Sequence, residues 1–168
     1  MNEEQKTEFR RSILSAIEKN SRINIGELAV MLGYEETDVV NEMAQMEKEK
    51  IICGYHTMID WEKTGIEKVT ALIEVKATPQ RDEGFKRIAE RIYRFPEVSS
   101  VFLISGNYDL LVTMEGKTLR EVSSFVNETL APIDGVTSTA TFFILHKYKE
   151  HGSIFDPVSK GERMLVTP

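Results

Sequence analysis

Apolar residues recur at helical spacing from the start of the chain. Phe9, Ile13, Leu14 and Ile17 share one face of residues 4–19, which predicts an amphipathic helix. Asn20–Ser21–Arg22 interrupts it. Residues 25–32, IGELAVML, predict a short second helix with Asn24 as N-cap and Gly33 just past its end, where a left-handed backbone is wanted. A third helix is expected from about Glu36, with Val39, Val40, Met43 and Met46 on its buried side. Ile51–Ile52 and Tyr55–Ile59 then read as a strand. Three short helices, a tight Gly turn and a strand describe a winged helix-turn-helix. Any small three-helix unit would show the same periodicity.

After the polar stretch Trp61–Gly65 the pattern changes. It predicts strand 66–77, helix 80–94, strands 98–105 and 108–115, helix 117–131 and strand 136–147. Pro79 suits the opening of the first of these helices, and Phe85, Ile88, Ala89 and Ile92 form its apolar stripe. Leu119, Val122, Phe125 and Val126 form that of the second. The order βαββαβ is the ferredoxin-like arrangement, with both helices on one face of an antiparallel sheet. The fold class is therefore α+β, divided into residues 1–60, a connector 61–65, residues 66–150 and a solvated tail 151–168.

A sheet with one wet face should alternate apolar and polar residues. Val101–Ile104, Leu110–Val112 and Phe142–Leu145 are instead apolar at both parities. Two helices cannot cover both faces, so a second copy of the sheet is the simplest cover and a homodimer is expected.

Residues 96–116 read as a β-hairpin around a Gly106–Asn107 corner, with Gly in the position that a type II′ turn requires. Exposed amides at such a corner can hold a carboxylate, and Asp109 can hold an ammonium, so the corner is a candidate site for a small zwitterion. The competing reading is that Gly106 and Asn107 only make the turn while Asp109 bonds nearby backbone.

Charge bears on the first unit. The chain carries 27 acids and 21 bases, a net −6, and most of that excess lies in the first 60 residues. Residues 35–50 hold Glu35, Glu36, Asp38, Glu42, Glu47 and Glu49 against Lys48 and Lys50, an unfavourable balance for a helix meeting phosphates. Lys6, Arg10, Arg11, Lys19 and Arg22 flank that helix and are placed to grip double-stranded DNA. Thr37, Asn41 and Gln45, with Lys48, are its candidate readers.

The remaining composition excludes more than it identifies. There is no apolar run long enough to span a membrane and no signal-peptide core at the start, so a cytoplasmic location is expected. Cys53 is the single cysteine, expected to be a small buried hydrophobe. His56, His146 and His151 are scattered, and no metal site, resident cofactor, catalytic triad, P-loop or dinucleotide fingerprint is expected.

Ile13–Leu14, Asn20–Ile23, Leu28–Ala29, Gly33, Val39, Ile51–Ile52, Gly54–Tyr55 and Gly65 resemble the N-terminal domain of the Lrp/AsnC family of transcription regulators. The resemblance continues through Gly106, Tyr108 and Asp109 and through Gly135–Val136 with Thr141, positions that match the family's amino-acid-sensing (RAM, ACT-like) domain. It implies an amino-acid effector held by Gly106, Asn107, Tyr108, Asp109 and Thr141. It also implies dimers packed sheet to sheet and joined into octamers. The family's third helix usually opens with Ser and carries several bases, where this chain has Glu35, Asn41–Glu42 and Ala44–Gln45. Two functions stay open: an amino-acid-responsive, DNA-binding regulator, or an amino-acid-binding oligomeric sensor whose acidic helix-turn-helix has lost DNA affinity.

Overall fold

The computed structural model describes residues 2–79 and 83–155. The chain divides into two compact units, with the boundary between Met58 and Ile59.

The first unit contains α1 (Glu3–Lys19), α2 (Ile25–Leu32) and α3 (Glu36–Lys48). Each start has a local cause. Asn2 and Gln5 cap α1 reciprocally, and the Asn24 side chain accepts the Glu27 N–H at the head of α2. Gly33 ends α2 at φ 73°, a backbone that only Gly adopts without strain. Phe9, Ile13, Ile17, Leu28, Ala29, Val39, Met46 and Ile52 form one buried cluster. Val40, expected inward, is 47% exposed, because it lies off the stripe of Val39 and Met46. The expected strand is not formed: residues 51–60 make no ladder with any described residue, so no strand-built wing stands among the described residues. Cys53 is exposed rather than buried, and its thiol donates to the Lys50 carbonyl at 3.1 Å.

The second unit holds β1 (Val69–Ala77), α4 (Lys86–Ile92), β2 (Val98–Leu103), β3 (Leu110–Gly116), α5 (Leu119–Phe125) and β4 (Val136–Phe143). The sheet is antiparallel with order β2-β3-β1-β4, the ferredoxin-like topology. Its helix-facing side is the core. Ala71, Ile73, Val75, Leu110, Val112 and Met114 pack there with Ile88, Ile92, Val122 and Leu130. Gly135 lies where the chain enters β4, at φ 95°, and a Cβ there would come within 2.8 Å of Ile88 Cδ1.

Several boundaries differ from the sequence pattern. The first helix runs from Lys86 rather than residue 80, so Pro79 does not open it; Gln80–Asp82 lie outside the described residues. The second helix loosens into a π turn over Val126–Leu130, closed by Ala131 N–H to Val126 O at 2.8 Å. Leu119, assigned to its apolar stripe, is exposed, since it stands in the first turn, beyond the reach of the core. The stretch Trp61–Thr64 is a 3₁₀ turn built into the second unit, with the Lys68 ammonium over the Trp61 ring. The chain after β4 continues as a small hairpin of β5 (Lys149–Glu150) and β6 (Ser153–Ile154), so the expected solvated tail is ordered at least to Phe155. His151 and Gly152 both have positive φ, the two-residue turn that matches strand twist. The tail's remaining residues, 156–168, lie outside the described residues. No helix among the described residues is long and apolar enough to cross a membrane.

Candidate DNA-binding and effector sites

α3 sorts its charges by face. The Arg10 guanidinium on α1 donates through Nε to Glu42 at 2.5 Å and through Nη1 to Glu49 at 2.7 Å. Gln45 Nε2 also donates to Glu49, at 2.7 Å. The bond from Arg10, then that from Gln45, holds the Glu49 carboxyl down at about 2, and the two carboxylates push the Arg10 guanidinium's pKa up. Glu47 is engaged separately, accepting from the Tyr55 hydroxyl at 2.8 Å. Two of the six acids in residues 35–50 are thus turned onto one arginine.

Spacing explains what remains outward. Thr37, Asn41 and Gln45 are four residues apart, so they line one exposed face of α3 with Lys48 three residues further on. Arg11 and Arg22 are exposed on the same unit, Arg11 beside Glu8 at 3.8 Å. Arg10 and Gln45 are the exceptions among the candidate DNA contacts: the Arg10 guanidinium is spent on Glu42 and Glu49, and the Gln45 amide donates to Glu49. No sequence signal marks this pairing, because Arg10 stands 32 and 39 residues from its partners.

The corner differs from a two-residue turn. β2 and β3 are paired up to Leu103–Leu110, and Ile104 N–H bonds the Asp109 carbonyl at 2.9 Å, leaving a wider loop. Gly106 does not have positive φ, so no type II′ turn forms, and an added Cβ would meet nothing within 4 Å. Neither backbone shape nor crowding within the chain requires Gly there. The contrast with Gly135, which needs both, is complete.

Asp109 is anchored. Its carboxylate accepts the Ala77 N–H at 2.9 Å, where the β1–β4 register shifts, and Lys76 Nζ approaches to 3.3 Å. The Ala77 bond first, and the lysine second, hold the Asp109 carboxyl below its ordinary range against the opposing effect of desolvation. Asp109 therefore bonds nearby backbone, and any ammonium would have to share it. Asn107 is exposed and Tyr108 half-buried. Thr141 sits opposite Ile73 on β4, on the helix-facing side. β1 stands between Thr141 and the corner, so one chain does not bring the five candidate effector residues together. A cleft of about 690 Å³ opens elsewhere, lined by Trp61, Ile66, Lys117, Leu119 and Arg120 among others, and contains no corner residue.

No described residue covers the other face of the sheet. Leu72, Leu111, Phe102 and Phe142 lie on it by register, with both phenylalanines 54% exposed. The two-sided apolarity of the strands thus becomes one buried face and one open apolar face.

Known proteins place this architecture. The family described as the Lrp/AsnC ligand binding domain matches residues 70–154. The uncharacterised HTH-type transcriptional regulator YugG of Bacillus subtilis is 45% identical over 163 residues, covering 96% of this chain and 98% of that protein. LrpA of Pyrococcus abyssi, another HTH-type transcriptional regulator, is 28% identical over 137 residues, covering 82% and 94%. Among solved structures, a transcriptional regulator of Neisseria meningitidis in complex with L-Met has a TM-score of 0.66 at 24% identity, covering 84% of this chain and 90% of that one. AsnC of E. coli has a TM-score of 0.64 at 20% identity, covering 88% and 96%. These two show the shared fold. On the family match and the full-length similarity, the chain belongs to the Lrp/AsnC family of HTH-type transcriptional regulators.

Proposed function

We propose that this regulator binds operator DNA through the outward face of α3 and changes that binding when a free amino acid occupies a site shared between subunits. The observation that carries the reading is the sorting of charge on α3. With Glu42 and Glu49 drawn onto Arg10, Thr37 and Asn41 form an uncharged face able to read base edges, joined by Gln45 when its amide leaves Glu49, with Lys48 on the same helix and Arg11 and Arg22 exposed on the same unit for phosphates. The domain reading assigns DNA to residues 1–60 and effector binding and assembly to 66–150.

For the effector, support comes from Gly106, which the chain's own packing leaves unexplained, and from the L-Met complex of the Neisseria regulator. The Gly106–Asp109 corner is one half of a site, and a neighbouring subunit supplies the rest, Thr141 included. A homodimer formed through the open sheet faces, assembling further into octamers, gives such neighbours and covers Phe102 and Phe142. The location is the cytoplasm, with its DNA.

Glu36 and Asp38 remain exposed in the first turn of α3. They favour the second reading, a sensor with weak DNA affinity. Retardation of the DNA upstream of the protein's own gene, measured across a salt series with and without a panel of amino acids, decides between them. The expected result is retardation that weakens steeply with salt and shifts with at least one amino acid. No retardation at low salt would retire the regulator mechanism in favour of the sensor. For the corner, Asp109→Asn keeps an acceptor for Ala77 N–H while removing the charge. Unchanged calorimetric heat in that variant would move the ammonium site elsewhere.

A further inference from the structure

The cleft of about 690 Å³ lies within the second unit, and the described residues that line it all fall between 61 and 120. Sites for small organic molecules span about 300–1,000 Å³. The cleft stands at the Val69–Gly116 end of the β1–β3 ladder, whereas Asp109 meets Ala77 at the other end of β1. A ligand held there is separate from the corner.

The lining combines apolar side chains with charge. Trp61 is half-buried, while Ile66 and Leu119 are 57% and 55% exposed. Some of the charges are already engaged. Lys68 pairs with Glu115 and lies 4.5 Å from the centre of the Trp61 ring, and Glu62 meets His146 at 3.0 Å. Glu121, beside Arg120 in the chain, accepts the Lys117 backbone N–H at 2.7 Å. The charged groups of Lys117, Arg120 and Glu67 make no hydrogen bond or ion pair with any described residue. Two unengaged cations against one acid form a locally positive spot in a chain of net −6, with apolar surface beside it. Exposed apolar side chains taken singly need no explanation, but three converging on one cleft with two cations do.

We propose that this cleft binds a small amphiphilic monoanion, a carboxylate with an apolar body. Lys117 and Arg120 hold the head, and Trp61, Ile66 and Leu119 take the body. Charge complementarity selects the head, because the guanidinium fork matches a carboxylate and the lysine adds a second positive charge. Glu67 opposes a second negative charge, so a monoanion is preferred to a dianion. The assignment goes beyond the regulator reading, and its test requires neither DNA nor occupation of the corner.

The test is titration of the full chain with octanoate and with 3-phenylpropanoate, followed by the emission of Trp61, the only tryptophan. That ring lines the cleft, so a saturable change in its emission reports occupancy. The expected result is saturation by at least one of the two acids, the tighter one distinguishing an aliphatic from an aromatic body. Octan-1-ol, octylammonium and octanedioate, which change only the charge of the molecule, should all bind more weakly than octanoate. Combining Lys117→Gln with Arg120→Gln should weaken the carboxylate about tenfold. Both side chains are exposed, so the fold should tolerate the change. Glu67→Gln should tighten binding. Saturation by neither acid overturns the proposal. Octan-1-ol binding as tightly as octanoate overturns it too, since apolar contact alone would then account for binding. Unchanged affinity in the double variant has the same force, because the head would then lie elsewhere. Phenylalanine binding more tightly than 3-phenylpropanoate, and losing that advantage in Glu67→Gln, would make the cleft an amino-acid site and overturn the monoanion assignment.

Discussion

Two glycines of the second unit make opposite demands, and substituting each by alanine separates structural from functional need. At Gly135 the backbone sits at φ 95°, outside the range of an L side chain, which costs about 1–2 kcal/mol. The added methyl would also stand 2.8 Å from Cδ1 of Ile88, a fully buried side chain that cannot move without disturbing its neighbours. Overpacking of this kind costs about 1–3 kcal/mol. The reduced freedom of the unfolded chain returns up to about 1 kcal/mol. Gly135→Ala should therefore destabilise the sensing unit by about 1–5 kcal/mol, while Gly106→Ala, with no positive φ and open space around it, should stay within about 0.5 kcal/mol of wild type. The assay is urea unfolding at one fixed protein concentration, followed by fluorescence of Trp61, the only tryptophan and a residue of this unit. At a slope of about 2 kcal/mol per molar urea, the Gly135 variant's midpoint should fall by about 0.5–2.5 M with the slope unchanged. An equal loss at Gly106 would refute the argument, because it would show that the corner's glycine serves the fold. A stable Gly106→Ala protein with a weakened response to amino acids would place the demand for Gly at a bound ligand.

Three further outcomes follow from the same geometry. Arg10→Met should raise the Glu49 carboxyl from about 2 toward the ordinary glutamate range, read by NMR titration. Because Glu49 is depressed in the folded state, the stability it adds is present above its unfolded value and lost as pH falls toward about 2; the variant should lose that pH dependence and bind DNA more weakly, with Glu42 and Glu49 unneutralised. Asp109 is likewise depressed, so acid should weaken the sensing unit as that carboxyl protonates, and Asp109→Asn should flatten this part of an acid-unfolding profile. Asn24→Ala and Thr118→Ala each remove a side chain that accepts an N–H at a helix start, and each should cost about 1 kcal/mol in urea unfolding of its own unit.

Much of the fold was legible because it is local. Asn24 and Gly33 bound α2 by cap chemistry that acts within four residues, and the stripes of α1 and α4 follow from the 3.6-residue period. The two-sided apolarity of β2, β3 and β4 foretold the open face. Where the pattern misled, tertiary context had won. Residues 51–59 have strand composition, but a strand needs a ladder partner, and no described residue supplies one. The Gly106–Asn107 pair has turn composition, yet the bond between Ile104 and Asp109 closes a wider loop, and the two-residue turn forms at His151–Gly152 instead.

For the candidate sites the division is sharper. The sequence by itself determined the helices and the sheet's strands, the family and the residue types at the corner and along α3, since periodicity, caps and motifs are properties of near neighbours. Only the tertiary structure decided which charges are spent: Arg10 on Glu42 and Glu49, and Asp109 on Ala77 and Lys76. Net charge is a sum over residues, but an ion pair is a distance, and those partners stand 32 to 39 residues apart along the chain. An acidic helix could therefore be counted in the sequence, while the pairing of Glu42 and Glu49 with Arg10 became visible only when the chain had folded.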